Sequence, residues 1–327
     1  MSALQFDNVS HQFADAPRPA VDGCSCTVNP GELVVILGPS GCGKTTLLKM
    51  VNRLYEPTAG SIYLDSVDIR RLKVTQLRQQ IGYVIQQSGL FPHMTVAQNV
   101  AVVPRLLGWS KSRTQRRIEE LLTLVQLPPQ EYRQRYPAQL SGGQQQRVGL
   151  ARALAGNPQV MLMDEPFGAV DAITRTTLQD EILRLQQQLK KTILFVSHDV
   201  EEALRLADRI LVLKEGRIVQ YDTPFNLLTQ PANRFVYDLM GADDRVRQLS
   251  LLRVETAMRS HPLASTEQPA SPTIDRRASL RTALSLILRT GAAQLAVVEA
   301  GKTIGTLSLE QIRDATRLKT PSLKTQA

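Results

Sequence analysis

The chain has 327 residues, a net charge of +9, 43% hydrophobic and 5% aromatic residues, and three cysteines. That length implies two domains and enough material for a sizeable core. No apolar run approaches the roughly 18 residues of a membrane span, the start "MSALQFDNVSHQF" lacks the pattern of a signal peptide, and an odd, small cysteine count argues against a disulfide framework, so a cytoplasmic chain is expected.

Cys24 and Cys26 alternate along an apparent strand and read as small apolar packing residues. Leu33 to Leu37 read as a short apolar strand, followed by the Gly-rich turn "GPSGCGKT" (38–45) and a helix with apolar residues at 47, 48, 51 and 54. From Phe91 to Pro137 the character turns helical, with "SKSRTQRRIEELLTLVQL" strongly amphipathic, which reads as a helical insertion over about 90–157. Two more continuous apolar runs, "PQVMLMDEP" (158–166) and "KTILFVSHD" (191–199), are bounded by turn or polar residues. Such runs mark strands buried on both faces of a parallel sheet. Between them "TRTTLQDEILRLQQQL" places apolar residues at 178, 182, 185 and 189, as a helix would.

After Met240 the composition shifts, and "SHPLASTEQPASPT" reads as a linker stretch, giving domains at 1–240 and 273–327 with a linker over 241–272. Beyond it Ser279 is placed to cap a helix over 280–290 that Gly291 ends, "QLAVVE", "AGK" and "TIGTLSL" read as strand, turn, strand, and a short helix starts at Leu309. Residues 241–327 carry 13 Lys/Arg against 8 Asp/Glu. That balance permits nucleic acid or an anionic membrane surface as a neighbour.

The chemistry begins at "GPSGCGKT". Gly38, Gly41 and Gly43 let the loop, with Pro39, Ser40 and Cys42, turn its backbone N–H groups inward on phosphate oxygens, where the following helix start adds positive potential. Lys44 supplies charge for the β- and γ-phosphates, and Thr45 offers a hydroxyl to Mg²⁺, with Thr46 beside it. Cys42 in so electropositive a loop is expected either to favour thiolate or to be a small filler facing away from solvent. Asp164 ends its apolar run, where parallel sheets place ligands, and can hold Mg²⁺ through water. Glu165 is the candidate general base for an attacking water. His198 closes the third apolar run, within reach of a γ-phosphate if its strand lies beside that of Asp164. Gln86, after the apolar "IGYVI", can contact Mg²⁺ or the attacking water. A second phosphate device, "LSGGQQQR" (140–147), supplies the Ser141 hydroxyl, close-approach N–H groups at Gly142 and Gly143, and Gln144 at a helix start.

Residues 1 to about 240 resemble an ABC-transporter ATPase throughout. The resemblance implies a P-loop NTPase (RecA-like) α/β core with the family's helical subdomain. Its Walker A falls on "GPSGCGKT", its Q-loop on Gln86, its signature on "LSGGQ" and its Walker B on Asp164 and Glu165. The D-loop is "GAVD", ending at Asp171, the switch is His198, and Phe13 stands for the aromatic that stacks on adenine, commonly Tyr. The family's two ATPase domains pair head to tail, the signature of one completing the ATP site of the other. The resemblance therefore implies ATP and Mg²⁺ as cofactors and a homodimer or paired ATPase subunit.

A free-standing ATPase with "QQSGLFPHMTVAQNVAVVP" resembles the importers of quaternary-amine osmoprotectants (glycine betaine, choline, carnitine). That implies integral-membrane permease subunits, a periplasmic or lipid-anchored substrate-binding protein, and a peripheral place on the cytoplasmic face of the bacterial inner membrane. The competing class is a soluble ABC ATPase acting on nucleic acid or ribosomes. Its members usually carry paired ATPase domains or long coiled coils, neither of which is read here, so no nucleic-acid partner is expected. The C-terminal stretch resembles one cystathionine-β-synthase (CBS) motif, a small α+β regulatory domain. Where that motif carries a ribose-binding Thr followed three residues later by Asp, this chain has Ser308 and Gln311. Pairing across the dimer is the expectation there, either as a unit whose positive charge senses ionic strength or as a structural dimerisation module.

Overall fold

The computed structural model describes residues 3–86, 89–168, 171–260 and 271–315. The chain forms two compact units, Met1–Tyr221 and Asp222–Ala327.

In the first unit a six-stranded sheet runs Arg217–Asp222, Arg209–Lys214, Leu33–Leu37, Thr192–Ser197, Val160–Asp164, Ile81–Val84 across its width. Leu33–Leu37 is parallel to both of its neighbours, and the Val160–Asp164 and Ile81–Val84 strands continue the parallel set. The continuous apolar runs form its centre: all five residues of Leu33–Leu37 and all six of Thr192–Ser197 are buried. Burial on both faces removes any reason for polar alternation. A second, four-stranded sheet pairs Leu4–His11 antiparallel with Val21–Val28 and with Ala59–Leu64. The helix Lys44–Val51 supplies Leu47, Leu48, Met50 and Val51 to the core it shares with both sheets, beside Leu4 and Phe6 on one and Val34, Ile36 and Leu162 on the other. Each such side chain contributes about 1.5–3 kcal/mol on burial, so the helix that starts at the phosphate loop is anchored along its length.

Between Phe91 and Asn157 the described residues form helices and no strand, chiefly Val96–Leu106, Lys111–Leu124 and Gly142–Leu154. Thr95 and Ser141 start two of them with reciprocal capping boxes to Gln98 and Gln144. Ile118, Leu121, Leu122 and Val125 form the buried stripe of the amphipathic stretch.

The parallel register puts functional positions on one edge. Leu37 lies opposite Ser197, Asp164 opposite Val196, and Val84 opposite Met163, so four strands end together. The Ser197 strand does lie directly beside the Asp164 strand.

The second unit contains a four-stranded sheet in which Thr273–Asp275 runs parallel to Gln294–Glu299, and Gln294–Glu299 antiparallel to Lys302–Ser308. The helix Leu280–Thr290 crosses between the parallel pair, capped by the Ser279 hydroxyl and ended by Gly291 in the left-handed region (φ 65°). The boundary lies ahead of residue 240, and the linker over 241–272 needs correction. The helix Arg245–Leu251 packs on both Pro224–Thr229 and Leu280–Thr290, and Leu249 and Val254 join the unit's core with Ile274, Leu280, Leu295 and Leu307. The linker composition starts only near Ser260, and residues 261–270 lie outside those described.

Candidate functional site

The edge where the strands end carries the phosphate loop. Gly43 holds φ +105°, and a Cβ there would run into the Ala20 carbonyl, so the loop's close approach excludes any side chain. Pro39, Ser40 and Gly41 are exposed and Cys42 and Lys44 buried. No side chain caps the Lys44–Val51 helix, and its first turn holds no acidic residue. Its leading N–H groups thus keep their potential for an anion. The Lys44 ammonium, 6% exposed, donates to the Gly38 and Pro39 carbonyls at 2.8 and 2.9 Å and has no carboxylate partner among the described residues. A buried cation held only by carbonyl oxygens fits a site awaiting phosphate.

Thr45 Oγ1 donates to Asp164 Oδ1 at 2.9 Å, across the intervening Thr192–Ser197 strand. Burial pushes the Asp164 carboxyl up, opposed by this bond and by Lys49 and Lys44. Asp164 in turn helps burial raise the Tyr83 phenol. Among the described residues no cluster of three His, Cys, Asp or Glu could hold a metal. The hydroxyl and carboxylate of Thr45 and Asp164 suit a hard cation such as Mg²⁺, which keeps several waters and phosphate oxygens of its own.

Glu165 sits at φ 44°, left-handed backbone that costs a non-glycine residue about 1–2 kcal/mol. That turn brings its Oε2 to 3.2 Å from His198 Nδ1 and 3.4 Å from Gln86 Nε2, which donates to it. Two residues that follow neighbouring strands, His198 and Gln86, therefore converge on one carboxylate oxygen of Glu165, at the end of a third. Asp171 accepts from Thr174 N and caps the helix Ala172–Leu189. The intervening Ala169 and Val170 of the expected D-loop lie outside the described residues.

Phe13 is 38% exposed and meets the rings of His11 and Tyr55 edge-on, at 4.6 and 5.2 Å between centroids. Lys49 lies over Tyr55, 5.8 Å from its centroid, linking this platform to the phosphate-loop helix. Sequence reading had passed over His11 and Tyr55. In a chain with 5% aromatics, a third ring close to the phosphate-loop helix was the available signal.

Ser141 and Gln144 are not brought to this edge. Ser141 Oγ accepts from Gln144 N, Gln144 Oε1 accepts from Ser141 N at 3.0 Å, and Gln144 Nε2 donates to the Tyr132 hydroxyl. Gly142 is exposed, whereas a Cβ on the buried Gly143 would press on Thr174 Cγ2 at 2.5 Å.

Cys42 follows the second of its two expected readings, the buried filler. Its Sγ packs where a Cβ on Gly38 would be, and burial raises its pKa, outweighing Lys44 and the backbone N–H groups, which lower it. Cys24 and Cys26 are likewise pushed up by burial, to about 11 and about 12. Thiols raised this way hold little thiolate at neutral pH. A maleimide at pH 7.5 should leave all three unlabelled in the native protein, label them faster as pH rises, and label all three on unfolding, read by mass spectrometry. Rapid native labelling of Cys42 would restore the thiolate reading.

The ABC transporter family profile matches residues 21–168. The carnitine transport ATP-binding protein OpuCA of Listeria monocytogenes is 46% identical over 311 residues, 94% of this chain and 76% of its own length. The glycine betaine uptake system ATP-binding protein YehX of Escherichia coli is 45% identical over 311 residues, covering 94% and 98%. Among solved structures, the dimeric post-hydrolysis state of the ATP-binding cassette MJ0796 bound to ADP and Pi matches with a TM-score of 0.60 and 33% identity, over 67% of this chain and 98% of that one. With identity at that level running along nearly the whole chain, and the fold shared, it belongs to the ATP-binding proteins of ABC transporters.

Proposed function

We propose that the chain hydrolyses ATP to power a bacterial importer of quaternary-amine osmoprotectants such as glycine betaine, choline and carnitine. The observation that carries the hydrolytic part is the convergence of Gln86 and His198 on Glu165, beside the Thr45–Asp164 pair. Phe13 stacks on the adenine, and Gly38, Pro39, Ser40, Gly41, Cys42 and Gly43 cradle the phosphates with backbone N–H groups. Lys44, with Thr46 beside it, holds the β- and γ-oxygens. Thr45, Asp164 and Gln86 would hold Mg²⁺, which supplies neutralisation of phosphate charge when bound. Glu165 takes the proton of the attacking water, and His198 orients that carboxylate and reaches toward the γ-phosphate.

Ser141, Gly142, Gly143 and Gln144 serve the nucleotide of a paired subunit. Ser141 and Gln144 bond to each other and to Tyr132, none of them a phosphate-loop residue, which supports this, as does the dimer formed by MJ0796. Among the described residues no helix is long and apolar enough to cross a membrane. Because its relatives are ATP-binding proteins of transport and uptake systems, the chain works peripherally, on the cytoplasmic face, against permease subunits fed by a substrate-binding protein. The solute class rests on the carnitine and glycine betaine systems of its relatives. The second unit pairs with its copy as a CBS-like regulatory element. Ser308 and Gln311 are reciprocally bonded as a helix cap (Ser308 N to Gln311 Oε1 at 2.6 Å), which leaves them poorly placed for a ribose.

Reconstitution with the permease and binding protein tests the whole reading. Glycine betaine, choline or carnitine should stimulate ATP hydrolysis several-fold over basal. Hydrolysis that no such solute stimulates would remove the solute class and leave the ATPase; co-sedimentation with ribosomes instead would favour the soluble class.

A further inference from the structure

The turn carrying His198 is held from behind by a buried polar chain that the reaction as described leaves unused. Ser197 ends its strand 2% exposed; its hydroxyl donates to Glu202 Oε2 and accepts from Asp199 N at 3.0 Å. Glu202, 6% exposed on the helix Val200–Leu206, accepts at its other oxygen from Gln179 Nε2 at 3.2 Å. Burial pushes the Glu202 carboxyl up, and both hydrogen bonds oppose that. Gln179 belongs to the helix capped by Asp171, where Asp171, Arg175 and Gln179 recur every four residues along one face. Arg175 reaches Asp199 at 3.5 Å. Both neighbours of His198 are therefore tied to one stripe of one helix, Ser197 through Glu202 and Gln179, Asp199 through Arg175.

The imidazole itself is 61% exposed. Little packing fixes it, so its position against Glu165 follows the backbone of its turn. A buried carboxyl is also an expensive way to fill space, since an apolar side chain of similar size often serves a fold as well or better. We propose that Glu202, with Ser197 and Gln179, is a positioning residue for hydrolysis: it fixes the turn that presents His198 to Glu165 and ties it to the helix beginning at Asp171. This rests on the roles of Glu165 and His198 given above.

The test uses the full chain and steady-state phosphate release. Glu202→Leu fills the volume and removes both hydrogen bonds. It should lower kcat by about 10- to 100-fold, the scale of an ångström-level misplacement, and leave KM for MgATP unchanged. Glu202→Gln, which can still accept from Ser197, should recover most of the rate. Combined with His198→Ala, Glu202→Leu should cost nothing further, since it acts only through the histidine. Ser197→Ala removes the same link by one oxygen and carries the test if Glu202→Leu does not fold. An unchanged kcat in these variants, or an equal loss with and without His198, overturns the proposal. A His198→Ala chain that hydrolyses at the normal rate overturns the reading of the site instead.

Discussion

Glu165→Gln should lower ATP turnover by about 10²–10⁴-fold, the range that a positioned general base supplies, while nucleotide binding persists. Glutamine keeps the length of the side chain, and its amide oxygen can still accept from Gln86 Nε2 and face His198. It cannot take a proton from water. The substitution also leaves the phosphate loop and the Thr45–Asp164 pair as they are. Bound ATP then has no exit by hydrolysis, so paired subunits should accumulate with ATP in size-exclusion experiments and fail to do so with ADP. Phosphate release measured beside equilibrium binding separates the two effects. A normal turnover in this variant would take Glu165 out of the role of base.

Lys44→Ala acts one step earlier. The ammonium is the buried cation of the loop, steered by two carbonyl oxygens toward the space above the helix start. Each hydrogen bond from such a charge to a charged partner is worth about 1.5–3 kcal/mol. Affinity for ATP should therefore fall on the order of 10–100-fold, and turnover at ordinary ATP concentrations should fall with it. Melting temperature provides the control, because the Gly38 and Pro39 carbonyls lose a partner that alanine does not replace. An unchanged affinity in a protein that melts normally would mean the phosphates sit elsewhere.

The strands that carry this candidate site were legible in the sequence for a local reason. Leu33–Leu37, Val160–Asp164 and Thr192–Ser197 are buried along nearly their whole length, so each appears as an apolar run, and a candidate site residue stands at its end or just beyond it. Ser279 and Gly291 announced a helix because capping is chemistry between near neighbours. What failed to show was set by order across the sheet or by volume. The meeting of Thr45 and Asp164 was implied by a shared cation, but nothing local shows the direct bond from the phosphate-loop helix to a strand one removed from Leu33–Leu37. Cys42 was judged by the charges around its loop, yet its sulfur faces inward, where desolvation exceeds the pull of Lys44. The linker reading rests on "SHPLASTEQPASPT" but runs back to 241, over a stretch whose Leu249 and Val254 are buried in the unit's core. Ser308 and Gln311 show the converse limit. The spacing that starts a nucleotide motif in one setting closes a helix cap here, as at Thr95 and Ser141.

The left-handed backbone of Glu165 bears on how such a protein loses its activity. Stabilising and functional preferences point in opposite directions at that position. Glycine or asparagine relaxes the turn and removes the acid in the same step. With Glu165 as the proposed base, a chain carrying either residue there should stay folded and still take up nucleotide, a failure that chaperones and proteases inspecting only foldedness would not see. On that proposal, only a demand for hydrolysis itself would favour glutamate at a position whose backbone favours other residues.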